Sequence, residues 1–226
     1  ISKSDSDAYA FRSQQTWAAA NEAGVFAPEI APMELKGKRG ATVTFDTDEH
    51  PRPATTLEQL NGLKALFKAD GTVSAGNASG ISDGAGALVL ASESAVQKHG
   101  FKPLAEVVAW NSVGVDPTRM GIGPVPAIRN VLSKLGMELS DVDRVEINEA
   151  FASQYLACEK ELGLNREITN VNGGAIALGH PTGASGARIL GHLAHQISQS
   201  NGAIENAIGS ACIGGGQGIA VVLRAV

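Results

Sequence analysis

Polar and apolar positions in the first third of the chain predict helices around a short hairpin. A helix-forming run with Ser4 as its N-cap predicts a helix over residues 4–23. Between Pro28 and Pro53 the prolines, a glycine-containing turn and a β-prone run at residues 41–45 predict a hairpin. A further helix is predicted from apolar residues at helical spacing, namely Leu57, Leu60, Leu63, Leu66 and Phe67. We expect this segment to form a small α+β unit.

Later in the chain, predicted strands and helices alternate. The apolar run at residues 87–91 predicts a strand, and a short helix follows over residues 92–99. The remaining predicted strands are 104–109, 143–147, 168–171, 206–212 and 218–224. The remaining predicted helices are 124–135, 149–162 and 186–199. Such alternation is typical of an α/β layered domain, and no internal repeat is visible.

Length and composition indicate a globular protein without a membrane span. The chain has 226 residues, 43% of them hydrophobic, which is enough for one large core or two modest ones. No uninterrupted apolar run approaches the roughly 20 residues that cross a bilayer. A net charge of -5 argues against a nucleic-acid binder that works through a broad basic face. We therefore expect a soluble protein whose function depends on a local site.

Two reactive side chains lie in glycine-rich segments. Cys212 ends a small apolar run and precedes three glycines, which suits a thiol that projects from the end of a strand. His180 lies between a glycine and a proline, and residues 183–186 open a helix whose amides can face a ligand. Histidine titrates near neutral pH and exchanges protons. The structural alternatives are a small buried core residue for Cys212 and a loop residue for His180.

Other candidates also have two interpretations each. Asn148 follows a predicted strand, so it either lines a site at the sheet edge or caps the next helix. The small-residue loop 76–86 is either a polar surface loop or a close-approach loop whose Ser79 bonds a ligand. Arg52 either meets a phosphate or is solvated. The residues alone leave these alternatives open.

The sequence gives little support to a disulfide, metal or dinucleotide site. The two cysteines, Cys158 and Cys212, lie in unrelated contexts, so a disulfide framework is not indicated. His192 and His195 are spaced i and i+3, but no further ligand cluster supports zinc. The glycines at 214–218 lack the spacing of a dinucleotide fingerprint.

Four segments, taken together, resemble the thiolase family in order and spacing. They are residues 77–80, 148–151, 172–186 and 210–216. Residues 120–126 fit as well, and the resemblance runs over the whole chain. It implies a thiolase-like layered α/β fold, in which a C-terminal α/β domain with a mixed sheet is joined to part of an α+β loop domain.

This resemblance implies an acyltransferase. Thiolases cleave a 3-oxoacyl-CoA with CoA to give acetyl-CoA and a shortened acyl-CoA, or they run the reverse condensation. One cysteine is acylated, a histidine activates it, and a second cysteine moves a proton at the acetyl unit. Cys212 matches the second cysteine and His180 matches the histidine. Asn148 matches the residue that holds an oxyanion-hole water together with the histidine, and Gly214 supplies an amide to the other oxyanion hole.

The same resemblance assigns positions to the substrates, acyl-CoA and CoA, and implies no cofactor and no metal. The positions are Ser79, Arg52, Phe151, Met120, Phe67 and Ala75. Ser79 would contact the pantetheine arm and Arg52 the nucleotide end of CoA. Phe151 and Met120 would line the acyl pocket.

Thiolases carry their acylated cysteine in an N-terminal half that this sequence does not contain. Cys158 lies in mid-helix at a spacing typical of a buried face, so we expect the chain alone to be inactive. By resemblance, residues 1–78 are the latter part of the CoA-covering loop domain, and 79–102 complete the N-terminal domain. Residues 103–226 form the C-terminal domain. An apolar surface should be exposed where the missing half packs.

Origin and assembly follow only from the resemblance. The chain begins with Ile1, which suggests a processed or partial chain whose targeting signal is missing. The mitochondrial matrix is favoured, with the cytoplasm or a peroxisome as alternatives, and a homodimer or homotetramer is expected. The alternative functions are a non-catalytic CoA-binding or assembly module and, more weakly, a ketoacyl synthase.

Overall fold

The computed structural model describes residues 1–37 and 40–226. Helix α1 spans Lys3–Glu22, as predicted, but the predicted cap at Ser4 is wrong. Ser2 caps the helix instead, because its hydroxyl accepts from the Asp5 amide while the Asp5 carboxylate accepts from the Ser2 amide. Gly24, with a φ of 73°, follows the end of the helix.

The predicted hairpin is present. Strands β1 (Met33–Lys36) and β2 (Thr42–Phe45) pair antiparallel. The predicted turn between them includes Lys38 and Arg39, which lie outside the described residues. All residues of both strands are exposed.

The helix predicted from the leucine spacing is shorter than expected. Helix α2 covers only Leu57–Gly62, and Leu60 is its one buried residue. Beyond it, Leu66 is 58% and Phe67 is 76% exposed. The periodic pattern fails there because a helical stripe is stable mainly when another element covers it.

The strand predicted at residues 87–91 is not formed, and this prediction is wrong. No strand in the described part of the chain pairs with this segment, and Val89 and Leu90 are 91% and 79% exposed. The short helix after it is confirmed as α3 (Glu93–His99) and ends at Gly100 in the left-handed region.

The main sheet contains four strands in the order β3-β6-β5-β4. Their bounds are Glu106–Gly114 (β3), Arg144–Ile147 (β4), Asn206–Ile213 (β5) and Gln217–Arg224 (β6). β4 runs parallel to β5, whereas β6 is antiparallel to both β5 and β3, so the mixed sheet is confirmed. β3 extends past its predicted end at residue 109 because it pairs with the full length of β6.

A strand predicted at residues 168–171 is reduced to a single parallel bridge between Thr169 and Val145. Two backbone hydrogen bonds flank this bridge, from Val145 N to Ile168 O and from Asn170 N to Val145 O. The extended conformation then breaks at Asn170, whose φ is 46°.

Helices cover both faces of the sheet. The larger core joins α1 and two helices, α4 (Pro124–Leu135) and α5 (Ala152–Leu162), to one face. Helix α7 (Ser185–Gln199) packs a second core on the other face. Consecutive residues Ala207 and Ile208 of β5 belong to different cores, as strand alternation requires. The prediction of a layered α/β fold is therefore confirmed.

The predicted bounds of these helices hold to different degrees. α4 has its predicted bounds, α7 begins one residue early, and α5 begins at Ala152 rather than at residue 149. The short helix α6 (Ala175–Leu178) was not predicted. Among the described residues, no helix has both the length and the apolarity needed to span a bilayer.

Candidate functional site

Asn148 lies at the carboxyl end of β4 and is fully buried. Its amide donates to Ser210 O at 2.9 Å, which continues the pairing of β4 with β5 beyond Ile147. The helix-cap interpretation is wrong, because Phe151 is the N-cap residue of α5 and makes no side-chain cap. The Asn148 side chain instead points to His180, with 3.3 Å between Nδ2 and Nε2.

His180 is held at three points. Its backbone amide donates to Gly80 O at 2.8 Å, and Nδ1 lies 2.6 Å from Ser185 Oγ. Ser185 donates its single hydroxyl proton to Pro181 O, so its lone pair faces Nδ1. This arrangement places the ring proton on Nδ1 and leaves the Nε2 lone pair facing Asn148. A neutral histidine in this tautomer can accept a proton at Nε2.

The electrostatics around His180 favour that neutral form. Partial burial lowers the pKa of the half-buried imidazole, and the positive charge of Arg188 lowers it further. Both effects disfavour the imidazolium. His180 therefore rests as a base at neutral pH.

Cys212 is the next-to-last residue of β5 and pairs with Gly218. Ile147, the last residue of β4, pairs with Ser210, so Asn148 and Cys212 leave adjacent strands at the same sheet edge. Burial raises the pKa of the Cys212 thiol, which is 9% exposed. A thiol of this kind holds its proton at neutral pH, which suits a proton donor better than a resting nucleophile.

Gly214 and Gly216 shape the turn after Cys212 in different ways. Gly216 has a φ of 90° and is buried, and a Cβ added to it would overlap Val115 O. Gly214 is exposed, and nothing lies within 4 Å of a Cβ added to it. The turn thus leaves the Gly214 backbone open to approach.

Cys158 is buried more deeply than Cys212 and lies inside a helix. It is 0% exposed in the middle of α5, and its thiol donates to Gly121 O at 3.3 Å. Burial raises its pKa to about 12. Such a thiol is inert at neutral pH, as expected for a buried structural cysteine.

Two of the positions assigned to substrate and CoA adjoin the Asn148–His180 pair. Ser79 Oγ donates to Ala150 O at 3.0 Å, and Phe151 forms an antiparallel bridge with Ala78. The segment 79–80 therefore connects the turn after Asn148 to the backbone of His180. Met120 is half-buried in a 3-10 turn next to Gly121, the acceptor for the Cys158 thiol.

The remaining assigned positions show no contact with Asn148 or His180. Phe67 is 76% exposed, and Ala75 is also exposed. The Arg52 guanidinium donates to the carbonyls of its own loop, those of Glu49, His50 and Pro51. Arg52 is exposed and uses only Nη1 in these contacts, so its phosphate role and its solvated role both stay predictions.

Two family models match the sequence. The family model described as "Thiolase, C-terminal domain" matches residues 101–225, and that described as "Thiolase, N-terminal domain" matches residues 1–94. The chain belongs to the thiolase family. The N-terminal match extends across the predicted boundary at residue 78, and the division at that residue stays a prediction.

Individual thiolases are similar along the whole chain. Mitochondrial 3-ketoacyl-CoA thiolase of Bos taurus is 60% identical over 224 residues, and 3-oxoadipyl-CoA/3-oxo-5,6-dehydrosuberyl-CoA thiolase of Escherichia coli K12 is 50% identical over 228. These matches cover 99% and 100% of this chain and 56% of each relative, so the chain spans about half their length. The crystal structure of human mitochondrial 3-ketoacyl-CoA thiolase in complex with CoA superposes with a TM-score of 0.91 at 53% identity. That match covers 100% of this chain and 55% of the human one.

In this thiolase chain, sequence reasoning missed the buried carboxylate next to Asn148. Glu149 is 0% exposed and accepts four hydrogen bonds. The donors are Tyr9 Oη, Ser13 Oγ, Asn170 Nδ2 and Ile176 N, at distances of 2.7 to 3.1 Å. Two of them come from α1, so Glu149 ties that helix to the turn after β4 and to the segment that leads to His180. The spacing of residues around Glu149 cannot predict hydrogen-bond donors that lie more than 100 residues away in the sequence.

Ser185 was also missed as an individual residue. It lay inside the glycine-rich segment that suggested the site, but the sequence did not indicate that its hydroxyl supports the His180 ring.

His192, considered above as a possible metal ligand, has protein partners at both ring nitrogens. Its Nδ1 lies 2.6 Å from Glu29 Oε1 and its Nε2 lies 3.0 Å from Asn172 Nδ2. Among the described residues, no group of three or more potential ligands is arranged to hold a metal.

Proposed function

We propose that this chain supplies the acid/base and oxyanion-binding part of a thiolase that cleaves 3-oxoacyl-CoA with CoA. The observation that supports this best is the 3.3 Å approach of Asn148 Nδ2 to His180 Nε2, with Ser185 behind the ring. It joins two segments 32 residues apart into one polar centre. Membership of the thiolase family supports the reaction class.

In the proposed cleavage, a cysteine thiolate attacks the C3 carbonyl and the carbonyl electrons move onto oxygen. The C2–C3 bond then breaks, leaving an acyl-enzyme thioester and the enolate of acetyl-CoA. Cys212 gives its thiol proton to the enolate carbon, which releases acetyl-CoA. The Cys212 thiolate takes the proton of the CoA thiol, and the CoA thiolate attacks the thioester to form the shortened acyl-CoA. The acylated cysteine leaves as a thiolate and takes its proton back from His180, so every group returns to its starting state.

His180 takes the proton of the attacking thiol at Nε2. Its neutral resting form suits this role, because burial and Arg188 lower its pKa. Asn148 and Gly214 stabilise the oxyanions. Asn148 Oδ1 is buried and meets no hydrogen-bond donor within residues 1–37 and 40–226, so it is free to accept from a water that in turn donates to the oxyanion. Aimed donors of this kind are worth about 3 kcal/mol each.

We further propose that the acylated cysteine belongs to a part of the thiolase outside these 226 residues. Cys158 is poorly suited to the role, since its thiol is buried in mid-helix with a pKa raised to about 12. Covalent catalysis requires a reachable thiolate. We therefore expect residues 1–226 alone to show no turnover, and CoA to bind poorly to this half-site.

A contact with the pantetheine arm of CoA is proposed for Ser79, and Phe151 and Met120 are proposed to line the acyl pocket. Ala75, Phe67 and Arg52 remain proposals for the outer part of the CoA site. The human relative crystallised with CoA supports CoA as the ligand class. Relatives named for 3-ketoacyl-CoA and for 3-oxoadipyl-CoA leave the acyl group of the substrate undefined.

The mitochondrial matrix and a homodimer or homotetramer complete the proposal. The mitochondrial names of similar thiolases support the location, and the assembly rests on family resemblance. Residues 1–78 are proposed to cover CoA, 79–102 to complete the N-terminal domain and 103–226 to form the C-terminal domain. Exposed Ile81, Val89 and Leu90 support contact with the remainder of the thiolase.

The test uses the complete thiolase polypeptide that contains these residues and follows cleavage of acetoacetyl-CoA by CoA. His180→Ala and Cys212→Ser should each lower kcat about 100- to 10,000-fold, the range for a removed acid or base. His99→Ala and Cys158→Ser are the matched controls, since His99 is exposed on α3 and a serine at 158 still donates to Gly121 O. Wild-type turnover in His180→Ala or Cys212→Ser would refute the roles, and turnover by residues 1–226 alone would refute the external nucleophile.

A further inference from the structure

A second histidine, His50, lies against the backbone that holds His180. Its Nδ1 is 2.8 Å from Ala177 O, and a carbonyl oxygen can only accept, so Nδ1 carries the proton. The opposite ring nitrogen, Nε2, faces Gly80, because a Cβ added to Gly80 would overlap it. The ring therefore fills the space between residues 177 and 80.

The same ring also borders the residue just before His180. A Cβ added to Gly179 would lie 3.4 Å from His50 Cγ and would overlap Ser82 Oγ. Gly80 in turn accepts the His180 amide at 2.8 Å. His50 thus contacts both backbone segments that fix His180, one by a hydrogen bond and one by packing.

The loop that presents His50 is itself rigidly held. Arg52 Nη1 donates to the carbonyls of Glu49, His50 and Pro51 at 2.7 to 2.9 Å. The Arg52 amide donates to Gln14 Oε1 at 2.8 Å, and Gln14 Nε2 donates to Ile176 O at 3.3 Å. Gln14 is 6% exposed and Pro51 is also buried. The side chain of Gln14 therefore forms hydrogen bonds with both the loop that carries His50 and the α6 segment before His180.

We propose that His50 is a positioning residue for His180. The Nδ1–H donor fixes Ala177 O, and the ring sets the separation between Gly179 and Gly80, so the imidazole of His180 is presented to Asn148 in one orientation. The inference rests on the proposed function and adds a residue to it. His50 acts through His180 and does not itself transfer a proton.

The decisive comparison is between His50→Asn and His50→Gln in the complete thiolase. An asparagine amide places its NH₂ near the Nδ1 position and can still donate to Ala177 O, whereas glutamine places its NH₂ near the Nε2 position. His50→Gln should lower kcat about 10- to 100-fold with the KM for CoA little changed, the cost of a slightly misplaced catalytic group. His50→Asn should recover most of that loss. His99→Asn and His99→Gln, on exposed α3, should match the wild type.

Two outcomes in activity would overturn the proposal, namely equal wild-type rates in both variants or equal losses in both. A KM effect with unchanged kcat would also overturn it, because it would make His50 a binding residue. Histidine ¹⁵N spectra of the wild type give a test that does not depend on a variant folding. They should show His50 protonated at Nδ1, and protonation at Nε2 alone would refute it. Absence of turnover in the wild type would instead refute the proposed function, while the tautomer would still decide the role of His50.

Discussion

Ser185 Oγ lies 2.6 Å from His180 Nδ1, on the edge of the ring opposite Asn148. The first residue of α7 thereby fixes the tautomer of a histidine in the loop before it. A base is effective only when its lone pair faces the proton it takes. The hydroxyl is therefore as much a part of the centre as the amide on the other edge.

Replacing Ser185 by alanine should expose this dependence. The Ser185→Ala variant loses the acceptor for Nδ1–H, so we expect kcat in the complete thiolase to fall about 10- to 100-fold. Ser198→Ala, on the exposed face of the same helix, should not change kcat. Steady-state cleavage of acetoacetyl-CoA measures both. Equal rates for the two variants would show that the Ser185 contact has no catalytic consequence.

The pH dependence of the rate should report the lowered pKa of His180. His180 becomes protonated only when the pH falls below its pKa, which is lower than the ordinary value of 6.5. The decrease of kcat on acidification should therefore occur below pH 6.5. Arg188→Gln removes a neighbouring positive charge and should move that limb to higher pH. Arg188→Lys keeps the charge and should leave it in place. A limb that does not move in Arg188→Gln would exclude this electrostatic coupling.

The free energy of unfolding should also depend on pH through His180, and it should decrease as the pH falls. Because the folded pKa of His180 is lowered, the unfolded chain binds the proton more readily, and the contribution to stability is present above pH 6.5 and lost as pH falls. Urea denaturation of the wild type and His180→Ala at several pH values isolates this contribution. It should decrease on acidification, and an increase would contradict the assigned direction.

The two cysteines should differ in reactivity towards a thiol reagent. Cys212 is 9% exposed at a strand end, whereas Cys158 is 0% exposed and has a pKa of about 12. In folded protein at pH 8, iodoacetamide should modify Cys212 first and Cys158 only after denaturation. Peptide mass spectrometry assigns the label, with Cys212→Ser and Cys158→Ser as references. Labelling of Cys158 first would show that α5 opens readily in solution.

Replacement by alanine should destabilise the protein at one glycine of the turn after Cys212 and have little effect at another. Gly216→Ala places a Cβ against Val115 O at a φ of 90°, and such backbone strain alone costs about 1 to 3 kcal/mol. Gly214→Ala meets nothing within 4 Å and has no positive φ, so its stability should change by less than about 1 kcal/mol. Urea denaturation compares them. Similar stabilities would mean that the turn rearranges to admit the methyl group.

The sequence predicted those elements best whose apolar face meets a partner within the chain. Helix α4 has its predicted bounds because Ile128, Val131 and Leu132 pack against the sheet and Gly136 ends the helix in the left-handed region. The run at residues 87–91 is entirely apolar but pairs with no strand among the described residues, so it does not form a strand. Composition measures the tendency to be buried, whereas strand formation also requires an edge to pair with.

Only those residues of the site that lie in recognisable short segments could be predicted from the sequence. His180, Asn148 and Cys212 stood out because they lie in short segments whose order resembles a family. Glu149 had no visible role, because its donors Tyr9 and Ser13 lie 140 and 136 residues away. His50 and Gln14 likewise act through backbone atoms of α6 and its neighbours, and such contacts leave no pattern in side-chain spacing.

The long reach of Glu149 also bears on the order in which the protein folds. Ser13 is synthesised 136 residues before Glu149, so it cannot reach its acceptor until residue 149 has been added, and closing so large a loop delays the contact. The Ile176 amide, which leads to His180, binds the same carboxylate. The backbone that leads to His180 therefore gains its full set of contacts to Glu149 only after these two distant parts of the chain have met.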